Sequence, residues 1–174
     1  AALASASAWT DHALIGRIVE RLQTAAGDDG VSWREAKARL LLAADPAEKA
    51  AAEASVLLND VLRTAIPRVQ HYTLMATALE RLNNHRGAAE NLEKALSLDP
   101  ESNAILIELA RISMIRGERG RSLEYLAEAL NSPAITGHER RRVAAILAAQ
   151  NEGERAADIL VASYGPEDKE RPAD

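Results

Sequence analysis

Residue classes in this chain return at a spacing of 34. The stretch "GAAENLEKALSLDP", residues 87–100, has a small residue at Ala88, a leucine at Leu92, a second small residue at Ala95 and a stop at Pro100. Adding 34 gives Ser122, Leu126 and Ala129, and adding it again gives Ala156, Leu160 and Ser163. The preceding segment keeps the same step: Met75-Ala76 maps to Leu109-Ala110 and Val143-Ala144, and Leu79 maps to Ser113 and Leu147. Pro100 maps to Ala134, beside Pro133. A period of this length marks a supersecondary unit that cannot bury its apolar face alone and stacks on copies of itself.

Within each unit the spacing is helical. Hydrophobic residues make up 47% of the chain, aromatics only 3%, and there is no Phe. The apolar content is therefore mostly Ala and Leu, both strong helix formers, and alanine lets helix axes approach closely. Seven to nine helices and no strand are expected. Thr10-Asp11 is placed to cap a first helix ending near Ala26, with Leu14, Ile15, Ile18, Val19 and Leu22 on one stripe before the "GDDG" stop. Ser32 with Glu35 reads as a capping box opening "WREAKARLLLAA". Asp45-Pro46 places a proline in the first turn of the next helix, which ends before Pro67. Helices follow over 69–83, 86–98, 102–116, 121–131, 138–150 and 154–164, then the polar tail "GPEDKERPAD". Short connections make neighbours antiparallel hairpins.

Tyr72, Met75, Ala76 and Leu79 in one helix, followed by Ala88, Leu92, Ala95 and Pro100 in the next, resemble the signature of tetratricopeptide repeat (TPR) proteins. In that pattern the small residues sit where the two helices of a hairpin cross, and the large ones fill the gap to the next hairpin. Leu106 and Ser113 depart from it where aromatics are usual, and Arg140 occupies the tryptophan-like place. The resemblance implies an all-α fold, a right-handed α-solenoid of antiparallel helix pairs. Its parts would be an N-terminal helix and loop (1–30), a degenerate hairpin with Trp33 in the aromatic role (31–68), repeats at 69–102 and 103–136, a repeat-like hairpin (137–166) and a polar tail (167–174), in one solenoid.

The first helices of successive TPR units line a concave groove that commonly holds a peptide or a partner helix. Carried over by frame, the lining is Gln70, Thr73, Thr77 and Glu80 from the first clear copy. The second copy supplies Ile107, Glu108, Arg111 and Met114, and the third His138, Arg141 and Arg142. The lysine/asparagine clamp of the chaperone-binding subclass is missing, although Arg111 and Arg141 suit bidentate contact with a carboxylate. The resemblance thus implies a non-catalytic scaffold for a protein or peptide partner. The alternative is a repeat module of a larger envelope-export or polysaccharide-secretion protein, or of an enzyme whose catalytic domain lies elsewhere. The start at Ala1, with no charged segment before "AALASASAW", reads as a domain cut from a longer chain.

Other classes are disfavoured. A net charge of −5 and a pI near 5.5 argue against a general nucleic-acid binder. There is no cysteine for disulfides or thiolate metal sites. No apolar run is long enough for membrane insertion, so a soluble protein of cytoplasm or periplasm is expected. His12, His71, His85 and His138 are not spaced as metal ligands, and each reads as solvated. No phosphate loop, dinucleotide fingerprint or nucleophile elbow occurs, so no cofactor is expected. The arginines of "HERRRVAA", with Arg116, Arg119 and Arg121, read as surface cations paired with Glu118, Glu124 and Glu139. Ile159, Leu160 and Val161 leave the last hairpin with an apolar end, for which three covers are open: the polar tail, a continuation of a longer parent chain, or a second copy in a homodimer.

Overall fold

A computed structural model of the chain describes residues 12–27, 30–44 and 46–163. Among the described residues there are nine α-helices and no strand. They are α1 (His12–Ala26), α2 (Val31–Ala44), α3 (Glu48–Thr64), α4 (Val69–Arg81), α5 (His85–Leu98), α6 (Asn103–Ile115), α7 (Arg119–Asn131), α8 (Gly137–Ala149) and α9 (Gly153–Ser163). The chain divides into two compact units, Ala1–Leu98 with α1 to α5 and Asp99–Asp174 with α6 to α9.

In the first unit each helix packs on the next, and α2 also meets α4. Its main core is thin: Ala38, Ala51, Ala54 and Ala78 are fully buried beside Leu42, Leu58 and Met75. Alanine at the crossings removes the bulk that would hold the helices apart. Ile15, Val19 and Ala36 close a smaller cluster between α1 and α2. The Trp33 indole N–H donates to the Gly27 carbonyl at 3.0 Å, which ties the start of α2 to the end of α1. Arg81 donates to the Leu42 carbonyl at 2.6 Å and so satisfies one of the orphan acceptors in the last turn of α2.

In the second unit α6 packs on both α7 and α8, and α8 packs on α9. A helix with two neighbours is apolar around most of its circumference. Ile105, Leu106, Ile107, Leu109, Ala110 and Ile112 are all buried. Ser122, Leu126 and Ala129 of α7 are buried as the repeat demands. Gln150 Nε2 donates to Ser122 Oγ at 2.7 Å inside this unit. The last copy is looser: Ala156 is buried, Leu160 is half-buried and Val161 is exposed.

The period seen in the side chains is also written into the backbone. Asn83, Gly117 and Asn151 stand 34 apart and all adopt positive φ, at 57°, 76° and 63°. Each follows the first helix of a hairpin. The next N–H reaches back to close a Schellman motif, from Asn84 to Leu79 O (2.8 Å), Glu118 to Ser113 O (2.9 Å) and Glu152 to Leu147 O (3.0 Å). Only glycine and, less readily, asparagine tolerate this conformation. The first helices start at Val69, Asn103 and Gly137 and the second helices at His85, Arg119 and Gly153, again in steps of 34. The hairpin of α2 and α3 lies outside that frame and has the longer second helix that its sequence suggests.

Several local expectations are corrected. Helix α2 begins at Val31, so Ser32 lies inside the helix and does not cap it, and the Glu35 carboxylate is engaged by α4 instead. Helix α3 begins at Glu48 with Ala47 as N-cap, so Pro46 precedes the helix and is not in its first turn. The cap assigned to Thr10-Asp11, the Asp28-Asp29 stop, Asp45, Tyr164 and the polar tail lie outside the described residues. No helix of the described residues is long and apolar enough to cross a membrane.

Candidate partner-binding site

Helix α4 in the first unit carries Gln70, Thr73, Thr77 and Glu80. Gln70 Nε2 donates to Glu35 Oε1 on α2 at 2.7 Å, so its amide is held rather than free to swing. Thr73 and Thr77 turn their hydroxyls onto the helix backbone, to Gln70 O (3.2 Å) and Thr73 O (3.0 Å). Thr77 is exposed, and Glu80 and Thr73 are half-buried. This surface is polar and locally self-satisfied.

Beside Gln70 lies a cluster that the sequence does not announce. His71 is fully buried, which corrects the expectation of a solvated histidine. The Arg68 backbone N–H donates to His71 Nδ1 at 3.3 Å. With Nδ1 accepting, the ring proton sits on Nε2, and that N–H donates to Glu35 Oε2 at 3.2 Å. Arg68 Nη2 donates to the same oxygen at 2.8 Å. Glu35, its side chain 15% exposed, is thus the shared acceptor that locks α2 to the start of α4.

In the second unit α6 and α8 lie side by side. The Glu108 carboxylate is flanked by two guanidinium groups. Arg111 donates through Nε and Nη2 to Glu108 Oε2, both at 2.8 Å, and Arg142 pairs with Oε1 from α8. Arg111, Arg142 and Met114 are half-buried, while His138 and Arg141 are exposed one turn apart on α8. Ile107 is fully buried and is a core residue, a correction to its placement on the binding surface. Its burial follows from α6 having two helical neighbours. Helix α8 carries Arg140, Arg141 and Arg142 against the single carboxylate of Glu139, so it is net positive in a chain of net charge −5.

A capping box fixes the start of α8. Thr136 Oγ1 accepts from the Glu139 N–H at 3.2 Å, and Glu139 Oε2 accepts from the Thr136 N–H at 2.9 Å. The hydrogen bond from the Thr136 backbone, more than the side-chain hydrogen bond or the charge on Arg142, holds the Glu139 carboxyl below its usual range. Arg116 and Arg121 pair with Glu118, and Arg155 with Glu152, on their own hairpins, while Arg119 reaches from α7 to Glu152 of the next hairpin. Among the described residues no group of three or more His, Cys, Asp or Glu stands together as a metal site would require.

Residues 69–112 match the family model for the tetratricopeptide repeat. No curated protein matches the chain. A crystal structure of MamA superposes with a TM-score of 0.69 at 12% identity, covering 88% of this chain and 86% of that one. A second MamA structure gives 0.67 at 15% identity, covering 95% and 93%. YrrB, described as a TPR protein with an unusual peptide-binding site, gives 0.57 at 14% identity, covering 91% and 84%. With three hairpins in one frame, a segment that matches the repeat's family model and these neighbours, the chain has the all-α solenoid fold of tetratricopeptide-repeat proteins.

Proposed function

We propose that the chain is a non-catalytic protein-interaction scaffold, and that in the second unit the surface of α6 and α8 receives a peptide or partner segment bearing a carboxylate. The observation that carries this reading is the Glu108 cluster. One carboxylate is shared between Arg111 and Arg142, with Arg141 exposed alongside and Met114 half-buried as an apolar neighbour. The exposed Arg141, next to Arg142 on α8, offers a guanidinium fork, and such forks suit carboxylates geometrically. The polar surface of α4, with Gln70, Thr73, Thr77 and Glu80, is proposed as a contact region of the first unit. YrrB, with its peptide-binding site, is a fold neighbour consistent with such a role.

Affinity capture with the full chain as bait, repeated with Arg111→Glu and Arg141→Glu combined, tests the assignment. Loss of captured partners, with circular dichroism unchanged, is expected. Partners retained at wild-type levels would overturn the α6–α8 surface. Turnover of a substrate by the purified chain would overturn the scaffold reading itself.

A further inference from the structure

The first unit holds an open cleft of about 590 Å³ lined by α3, α4 and α5. Helix α4 supplies Tyr72, Met75 and Leu79, spaced i, i+3, i+7 along one stripe. Met75 is buried and the other two are half-buried, so the base is apolar. Helix α3 contributes Asn59 and Leu62, and α5 contributes Asn91 and Lys94. Arg63 stands at the α3 side, already paired with Asp60 at 2.9 Å. The lining contains two cations and no carboxylate, in a chain of net charge −5.

Lys94 is the centre of the argument. Its ammonium lies 6.0 Å from the centroid of the Tyr72 ring, and no carboxylate among the described residues pairs with it. The ring meets only one side of the ammonium, whose remaining N–H donors suit an anion. Asn91 Nδ2 donates to Gly87 O at 2.8 Å, which fixes the amide and leaves its carbonyl to accept. Asn59 is exposed across the cleft. Asparagine amides both donate and accept, as the backbone of an extended peptide requires.

We propose that this cleft binds an extended peptide segment, with an aspartate or glutamate side chain on Lys94 and an adjacent apolar side chain over Met75 and Leu79. A side-chain carboxylate is favoured over a chain terminus for a structural reason. Terminal carboxylates are gripped by nests of free backbone N–H groups. All the lining residues lie inside helices, where the N–H groups are used in intrahelical bonds. The cleft is also open, so a segment can pass through without ending in it. It shares no residue with the α6–α8 surface, and binding at either stands without the other.

The test uses the full chain as target for a displayed library of short random peptides, followed by fluorescence anisotropy with the recovered sequences. The enriched peptides are expected to share an Asp or Glu beside an apolar residue. Replacing that acid by its amide weakens binding about tenfold, the size of a charge-assisted hydrogen bond. Lys94→Gln produces the same loss, and combining the two changes adds little more. Lys94→Arg retains binding, and Arg111→Glu leaves it unchanged. Lys94 is on the exposed side of α5, so these variants keep the fold, which circular dichroism verifies. The proposal is overturned if no peptide is enriched, if the enriched peptides lack an acid, or if Lys94→Gln binds them as wild type does. It is also overturned if their binding is lost in Arg111→Glu, which would assign them to α6 and α8.

Discussion

Replacing Glu35 by alanine should cost more stability than a surface carboxylate normally does. Glu35 accepts from Arg68 (2.8 Å), Gln70 (2.7 Å) and His71 (3.2 Å). The first two donors are accessible enough to turn to water, so each bond contributes about 0–1 kcal/mol. His71 has no such escape, because it is fully buried and its Nε2–H has nowhere else to go. An orphaned buried donor costs about 1–3 kcal/mol. The midpoint of these ranges for Glu35→Ala is about 3 kcal/mol, or a fall in Tm of roughly 9 °C for a chain of this size. Glu35→Gln keeps a carbonyl that accepts from His71, and should cost less than half as much. Urea unfolding followed by circular dichroism measures both. The decisive control is a double-mutant cycle with His71→Leu, which removes the donor that Glu35→Ala would strand. The penalty for Glu35→Ala should then shrink by about 1–2 kcal/mol. An unchanged penalty in the His71→Leu background would refute the buried-donor argument, as would a single-mutant cost below about 0.5 kcal/mol.

Two further outcomes are open to the same unfolding measurements. Leu126→Ala opens a cavity in the second unit beside the fully buried Ser122 and Ala129 and should cost about 2–5 kcal/mol, whereas Leu160→Ala, at a half-buried site of the same repeat position, should cost clearly less. Thr136→Ala removes the hydroxyl that caps α8 and should cost about 1 kcal/mol. Because the folded state holds the Glu139 carboxyl below its ordinary 4.5, its contribution is present above that value and disappears as pH falls through the folded one. The stability gap between wild type and Glu139→Gln, measured by acid titration, should accordingly close in acid and not in base.

The repeat was legible because its signal is redundant. Ala88, Ala95, Ser122, Ala129 and Ala156 are each small for the same reason, and each is buried where two helices of a hairpin cross. The helix starts at Val69, Asn103 and Gly137 follow from that frame to within a residue or two. What was not legible depended on partners distant in sequence. Ser32 and Glu35 have the spacing of a capping box, yet Glu35 is engaged by residues more than thirty positions downstream, and α2 starts one residue before Ser32. In the sequence His71 stands alone, because its acceptor is equally remote. The repeat frame alone puts Ile107 on the groove, whereas α6 has α7 and α8 on two sides and buries most of its circumference. The cleft at Lys94 has no signature in the sequence, because Tyr72, Met75 and Leu79 fit the repeat's packing pattern, and only the placement of α3 and α5 leaves two of them partly accessible.

The left-handed residues at Asn83, Gly117 and Asn151 have a consequence for how such a chain changes length. Each marks the same point in its hairpin, 34 residues from the next. Inserting one residue before Ala88 would rotate it by about 100° about its helix and aim a side chain of the wrong size at the crossing. Adding or deleting a whole copy leaves every crossing, turn and helix start in phase. Duplication and loss of complete hairpins are thus the inexpensive edits for this architecture. Single-residue insertions should be confined to the connections between hairpins, such as residues 132–136, and to the stretch before Val69 where the frame has already lapsed.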